Sequence, residues 1–217
     1  MTRLRFGITM SLDGYVAGPR QSVEHPLGEG GEELHDWVVA TRSWREIHGR
    51  EGGTTGQDDD IAAESWRGVG ATIMGRHMFG GGDGPWGDDP WRGWWGENPP
   101  FHHPVFVLTH HPREPLEMEG GTTFHFVTDG IRAALERATE AAGGRDVHLG
   151  GGADVARQYL KAGLVDEMEI HVVPVLLGGG ARLFEDTEGR QTELELERVV
   201  ASPTVTHCKY RRTGSPS

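Results

Sequence analysis

Short apolar runs alternate along the chain with stretches whose apolar residues recur at helical spacing. The apolar runs predict strands, at residues 4–10, 71–74, 105–109, 122–127, 146–149 and 167–175. The helical spacing predicts helices, at residues 32–45, 60–66, 131–142 and 153–162. Thr128 or Asp129 is expected to cap the third helix, and Gly143 to end it. Two further runs, 194–200 and 205–211, predict a closing hairpin.

This order of elements predicts the fold class. Strands that alternate with helices indicate an α/β domain with a mainly parallel sheet. The closing hairpin then adds an antiparallel edge. The sequence has no internal repeat and no linker-like segment, so a single domain over residues 1–217 is expected.

Composition narrows the possible functions. The formal net charge is -12, which disfavours general binding to nucleic acids or to anionic membranes. One cysteine, Cys208, excludes an internal disulfide framework and a cysteine-rich metal site. The apolar runs are strand-sized, and the first residues lack the apolar stretch of a signal peptide. A soluble cytoplasmic protein is therefore expected, in which any anionic ligand is held by a local device.

Two glycine-marked turns supply such a device. In the first, the strand 146–149 runs into Gly150, Gly151 and Gly152, and a helix follows. Glycines let a pyrophosphate approach the unpaired amides of a helix N-terminus. Alone, a triple glycine is better explained as a structural turn. The spacing fits neither a Rossmann fingerprint nor a P-loop, since Val155 stands where the Rossmann pattern needs glycine.

The second turn is Gly75-Arg76-His77, which also follows a strand. Here a cationic residue, Arg76, comes directly after the glycine. An arginine can hold a phosphate by a bidentate fork, although a single Arg76 is more often a solvated surface residue. Ligands of open α/β sheets bind at the carboxyl ends of the strands. Two such turns in one domain therefore indicate one phosphate-bearing ligand that crosses the sheet.

The set of motifs resembles the dihydrofolate reductase-like fold, and within it the bacterial riboflavin-biosynthesis reductase domain and its stand-alone relatives. The resemblance covers residues 4–211. It is carried by the order and spacing of several short segments: Ser11-Leu12-Asp13-Gly14, Met74-Gly75-Arg76-His77, the strand 105–109, Gly150-Gly151-Gly152, residues 164–167 and residues 174–178.

The resemblance implies a three-layer α/β/α fold, NADPH as cofactor and hydride transfer to a small heterocyclic, carbonyl or imine substrate. The comparable enzyme is 5-amino-6-(5-phosphoribosylamino)uracil reductase. The implied cofactor contacts are Ser11 and Leu12 near the nicotinamide, Gly75, Arg76, His77, Thr109 and His110 around the adenosine-side phosphates, and Gly150, Gly151, Gly152, Ala153 and Asp154 at the pyrophosphate. Arg76 would lie near the 2′-phosphate.

The proton donor stays open. Asp13, in a turn at the end of the first strand, is the candidate catalytic acid, but a turn aspartate that binds its own backbone is an equal explanation. Dihydrofolate reductases carry a carboxylate on the first helix. Glu32, Glu33 and Asp36 lie in that region, where capping or surface charge explains each more simply. Folate is therefore a doubtful substrate, and a pterin reductase or a non-catalytic NADP(H)-binding sensor or scaffold stays an alternative.

Two remaining clusters are ambiguous. Residues 85–95 hold four of the seven tryptophans, and such a loop can line a substrate site, pack as a compact loop or form a subunit interface. Adjacent histidines at 102–103 and 110–111 point to opposite sides of an extended segment, so no metal site is expected. His171 is expected to be a packed residue of its strand. A homodimer is the expected assembly.

Overall fold

A computed structural model of the chain describes residues 2–22, 24–88, 90–185 and 193–213. The backbone divides into two compact units. The first comprises Met1–Phe6 and Gly68–Val165, and the second comprises Gly7–Arg67 and Asp166–Ser217. Strand β1 begins in the first unit and ends in the second. The expectation of a single domain stays a prediction.

The strands are β1 (Leu4–Ser11), β2 (Tyr15–Ala17), β3 (Val69–Gly75), β4 (Pro104–Leu108), β5 (Leu116–Glu117), β6 (Thr123–Val127), β7 (Asp146–Gly151), β8 (Glu167–Val173), β9 (Ala181–Arg182), β10 (Leu194–Ala201) and β11 (Thr206–Arg212). The helices are α1 (Asp36–Val39), α2 (Arg42–Ile47), α3 (Gln57–Trp66), α4 (Arg76–Phe79), α5 (Ile131–Ala141) and α6 (Ala153–Lys161), with 3-10 turns at Gly31–His35 and Glu119–Gly121.

The first unit carries the parallel part of the sheet, in the order β1-β7-β3-β4-β6-β5. All of these neighbours are parallel except β5, which runs antiparallel to β6. All seven residues of β3 are buried, as expected for an apolar strand covered on both faces. An aromatic-rich core surrounds it, formed by Met74, Phe79, Phe101, Val105, Val107, Met118 and Phe124.

The second unit carries the antiparallel part. Its sheet order is β10-β11-β8-β1, and β11 pairs antiparallel with both β10 and β8. A separate two-stranded sheet joins β2 to β9. The core of this unit is formed by Leu34, Trp37, Ala62, Val173 and Val205. The predicted α/β class, with a mainly parallel sheet and an antiparallel closing hairpin, is thus confirmed.

Several predicted elements need correction. The single helix predicted at 32–45 is wrong, because the chain breaks at Thr41, whose backbone is extended with ψ 152°. The Thr41 hydroxyl accepts a hydrogen bond from the Trp44 amide and donates one to the Val38 carbonyl, so it caps a new helix there. The predicted cap of α5 at Thr128 or Asp129 is also wrong, since Gly130 holds the N-cap position without a side-chain bond.

Candidate functional site

Three strand ends of the first unit carry most of the predicted cofactor contacts. Strand β3 pairs in parallel with both β4 and β7. The carboxyl ends of the three strands therefore share one edge of the sheet. Gly75 ends β3, Thr109 follows β4, and Gly150 and Gly151 end β7. The structure thus brings the two glycine turns together in the first unit.

Gly75 allows a close approach between the two turns. Its φ of -86° is open to any residue, so the backbone does not require glycine. A Cβ at this position, however, would lie 2.7 Å from Val155 Cγ2 and 3.7 Å from the Gly151 carbonyl oxygen. Glycine is needed here because β3 packs directly on the first turn of α6.

The three consecutive glycines differ in what the fold demands of them. A Cβ at Gly150 would meet the Met78 Cε at 3.2 Å, and Gly151 has a φ of 103°, which L side chains rarely adopt. Gly152 has a φ of -64°, and a Cβ there would have no atom within 4 Å. The peptide bond between Gly151 and Gly152 is cis. Backbone geometry thus explains Gly151, a side chain at Gly150 would press on the end of the Met78 side chain, and Gly152 borders open space.

Helix α6 begins at this open position. Gly152 is its N-cap and makes no side-chain capping bond, and the first helical bond runs from the Ala156 amide to the Gly152 carbonyl. The amides of the first turn, which includes Ala153 and Asp154, are therefore not used within the helix. They form a region of partial positive charge that suits an anion.

Two side chains connect the turns. His77 Nε2 lies 2.9 Å from Asp83 Oδ1, and its Nδ1 lies 4.0 Å from Asp154 Oδ2. Asp154 also pairs with Arg157 one turn along α6. His77 and Asp154 are both exposed, so these contacts are weak and salt-sensitive. They place His77 and Asp154, both predicted cofactor contacts, beside each other.

Arg76 is held by its own loop. Its Nε donates to the Gly82 carbonyl at 2.8 Å and its Nη2 to the Gly81 carbonyl at 2.9 Å. Burial, followed by repulsion from Arg113, lowers the pKa of Arg76 to about 10. Its Nη1 is buried and has no hydrogen-bond partner among the described residues. A buried donor without an acceptor costs free energy, so this atom fits an anionic ligand.

The end of β4 carries two of the predicted cofactor contacts, Thr109 and His110. Thr109 is buried, and its hydroxyl accepts a hydrogen bond from the His111 amide at 3.2 Å. His110 is exposed. The His111 carbonyl accepts a hydrogen bond from Trp86 Nε1 at 2.9 Å. Thr109 thus shapes the turn, and His110 is the side chain that reaches solvent.

The tryptophan-rich loop, of which Asp89 lies outside the described residues, packs on the core of its own unit. Trp86, Trp91 and Trp95 all lie against that core. Trp86 contacts Phe79 and Phe126 edge-on, with ring centroids 5.8 and 5.0 Å apart. The loop therefore packs on the core of the first unit as a compact surface loop.

Asp13 lies in the second unit, in the turn after β1. Its carboxylate accepts hydrogen bonds from Ser11 Oγ at 2.7 Å, the Leu177 amide at 3.1 Å and the Gly178 amide at 2.8 Å. The Ser11 hydrogen bond and the two amides lower the pKa of Asp13. Asp13 is therefore an ionised carboxylate near neutral pH. Because it joins its own turn to residues 177–178, it is better suited to anchoring that turn than to donating a proton.

The neighbouring predicted contacts differ in exposure. Ser11 is buried, whereas Leu12 is 65% exposed. The Leu12 backbone amide donates a hydrogen bond to the Val175 carbonyl. Glu32, Glu33 and Asp36 are all exposed. Their roles as proton donors stay untested, and surface charge remains the simpler explanation.

A buried polar chain in the second unit escaped prediction. His171 Nδ1 lies 2.7 Å from His207 Nδ1, and His207 Nε2 lies 3.1 Å from Asp58 Oδ1. Trp37 packs against both imidazoles at 4.8 Å. Burial, followed by the charges of His207 and Arg198, lowers the pKa of His171 to about 3. The expectation that His171 is a packed strand residue is confirmed, but nothing in the sequence pairs it with His207.

The described residues form neither a metal-binding group nor a membrane-spanning helix. No three histidine, cysteine, aspartate or glutamate side chains in that part of the chain are grouped so that they could hold a metal ion. No helix within the described ranges is long and apolar enough to cross a membrane.

Comparison with known proteins identifies the family. The RibD C-terminal domain matches residues 3–208, which is nearly the whole chain. The chain belongs to the RibD C-terminal domain family. This confirms the resemblance drawn from the order of the short motifs, and it agrees with the paired glycine turns at the sheet edge.

One sequence relative matches part of the chain, and two solved structures match nearly all of it in fold. The uncharacterized protein YwjB of Bacillus subtilis is 33% identical over 72 residues, which span 33% of this chain and 40% of YwjB. A structure from Shewanella sp. PV-4 assigned to riboflavin biosynthesis has a TM-score of 0.61 at 22% identity, over 99% of this chain and 100% of the other. Dihydrofolate reductase from Enterococcus faecalis, complexed with NADP(H), has a TM-score of 0.52 at 14% identity, over 98% and 97% of the two chains. At these identities the solved structures show a shared fold.

Proposed function

We propose that this member of the RibD C-terminal domain family is an NADPH-dependent reductase of a small heterocyclic, carbonyl or imine substrate. The observation that carries the proposal is the sheet edge of the first unit. There Gly152 borders open space at the start of α6, and Arg76 keeps a buried donor for which the described residues supply no acceptor. A phosphate-bearing ligand fits both features.

The residues divide between the two ends of the dinucleotide. In this proposal the amides around Ala153 and Asp154 hold the pyrophosphate, with Gly150 and Gly151 shaping their approach. Gly75, Arg76, His77, Thr109 and His110 surround the adenosine-side phosphates. The family resemblance assigns Ser11, Leu12 and Asp13 to the nicotinamide end. The bound nicotinamide supplies the hydride, and the protein supplies placement and exclusion of water.

Asp13 has a restricted role in this chemistry. Because its pKa is lowered by the Ser11 hydroxyl and two backbone amides, it holds no proton to donate near neutral pH. It fixes the Ser11–Gly14 turn instead, through the bonds to Leu177 and Gly178. The proton that completes the reduction then comes from another group or from water.

The test is the consumption of NADPH in the presence of a substrate panel. The panel should contain riboflavin-pathway pyrimidines, pterins and small carbonyl compounds. Loss of absorbance at the dihydronicotinamide band with at least one substrate supports the reductase. Saturable NADPH binding without turnover of any candidate favours the alternative, a non-catalytic NADP(H)-binding sensor or scaffold.

A homodimer in the cytoplasm is part of the same proposal. Edge strand β10 exposes Leu194, Leu196 and Val199 to between 42% and 53%. An exposed apolar edge is suited to pairing with a second copy. Light scattering at micromolar concentration measures the assembly directly.

A further inference from the structure

Two guanidinium groups lie over one indole beside the glycine turns of the first unit. The Arg76 Cζ is 3.0 Å from the Trp86 ring centroid, and the Arg113 Cζ is 4.7 Å from the same centroid. Arg113 also lies 4.8 Å over the Phe126 ring. We refer to Arg76, Trp86 and Arg113 as the arginine–indole stack. Of these three residues, only Arg76 is predicted from the sequence to contact the cofactor phosphates.

The stack is held rigidly by its surroundings. The Trp86 indole is fixed by its bond to the His111 carbonyl and by edge contacts with Phe79 and Phe126. Arg113 Nη1 donates to the Trp91 carbonyl at 2.6 Å. Both guanidinium groups are therefore positioned before any ligand arrives, which lowers the entropic cost of binding.

The charge balance of the stack is unusual for so acidic a chain. Neither Arg76 nor Arg113 forms an ion pair with a carboxylate in the described part of the chain, although the net charge is -12. The nearby Asp83 is engaged with His77, and Arg92 is paired with Glu97. Repulsion by Arg113 contributes to the lowered pKa of Arg76. Asp83 offsets part of the Arg76 charge without forming an ion pair with it. Two neighbouring cations that form no ion pair with a described carboxylate are suited to a ligand that carries two negative charges.

We infer that the arginine–indole stack is a binding site for a phosphomonoester dianion, with Arg113 as its second cationic residue. The inference rests on the proposed function and extends it. Arg113 would select the cofactor that bears a 2′-phosphate on its adenosine ribose over the cofactor that lacks one. Each guanidinium contributes charge-assisted hydrogen bonds that a ribose hydroxyl cannot replace.

The test measures binding of four ligands by tryptophan fluorescence or calorimetry: NADPH, NADH, 2′,5′-ADP and 5′-AMP. Arg113→Gln is expected to weaken NADPH and 2′,5′-ADP by about tenfold or more and to leave NADH and 5′-AMP within about twofold. Arg92→Gln is the matched control, because Arg92 is a neighbouring cation that already has a carboxylate partner. It is expected to change none of the four affinities.

Further measurements keep the outcome interpretable. Arg113→Lys retains the charge, so it should lose less 2′-phosphate selectivity than Arg113→Gln while showing the same thermal midpoint. Equal weakening of all four ligands, or no weakening of any, by a folded Arg113→Gln protein overturns the inference. If the unaltered protein binds 2′,5′-ADP but not NADPH, the stack is upheld and the reductase proposal fails. If it binds NADPH with unchanged selectivity after Arg113→Gln, the proposed NADPH binding stands and the inference about the stack fails.

Discussion

At the scale of single residues, the structure separates glycines that the fold requires from one that it does not. A Cβ at Gly75 would clash with Val155, and Gly151 has a positive φ. Gly152 has an ordinary φ and open space where a Cβ would point. A glycine without a structural reason, at the N-terminus of a helix, is best explained by the close approach of a ligand.

Gly152→Ala therefore tests whether the fold or the approach of a ligand requires glycine at this position. The free protein should keep its thermal midpoint or gain slightly, because alanine fits this φ and restricts the unfolded chain. NADPH binding should weaken by about tenfold, since the new methyl group occupies the space of the pyrophosphate. Gly87→Ala is the matched control, as its Cβ also meets nothing within 4 Å. A loss of stability with unchanged NADPH affinity would assign Gly152 to the fold.

At the scale of elements, the packing of β3 on α6 controls the site. The Gly75 position touches Val155 on the first turn of α6, so a side chain there must push the helix away from the strand. The same displacement would move the α6 amides that are proposed to bind the pyrophosphate. Stability and cofactor affinity are thus coupled through a single contact.

Gly75→Ala should destabilise the protein by about 1–3 kcal/mol through overpacking. The double variant with Val155→Ala should recover part of that loss, because the shortened side chain removes the clash, giving a coupling of about 0.5–3 kcal/mol. Urea unfolding of the four proteins of this cycle measures the coupling. Strict additivity would show that Gly75 and Val155 do not compete for the same space.

Some elements could be predicted from the sequence and others could not. Strand β3 was predictable because its run is almost wholly apolar and ends in glycine. Strand β7 was predictable because Val147 and Leu149 alternate with polar residues before three glycines. The break at Thr41 was not, because it depends on hydrogen bonds from one hydroxyl rather than on periodicity. Arg113 and the His171–His207 pair were missed because only the folded chain brings residues so distant in sequence together.

At the scale of the whole molecule, buried neutral histidines determine the response to acid. Burial lowers the pKa of His171 and of His148 to about 3, and of His103 to about 4. In the unfolded chain a histidine titrates near 6.5. Between that value and the lowered pKa, the unfolded state binds protons that the folded state does not. The contribution of these histidines to stability is therefore constant above about pH 6.5 and falls as the pH drops towards 4.

Urea midpoints measured from pH 7.5 to 4.5 test this dependence. His103→Asn should reduce the proton uptake on unfolding by about one proton in this range, because it removes one buried titrating group. His110→Asn, at an exposed position, serves as the control and should leave the pH dependence of the urea midpoint unaltered. A midpoint that stays constant from pH 7 to pH 5 would contradict the account.

The central claim is that the sheet edge of the first unit binds the phosphates of NADPH. Equilibrium titration of the unaltered protein with NADPH and with NADH, followed by tryptophan fluorescence, tests it most directly. The account predicts saturable NADPH binding in the micromolar range and NADH binding at least about tenfold weaker, because Arg76 and Arg113 lose their 2′-phosphate partner. No saturable signal with NADPH at millimolar concentration, or equal affinity for the two cofactors, would contradict it.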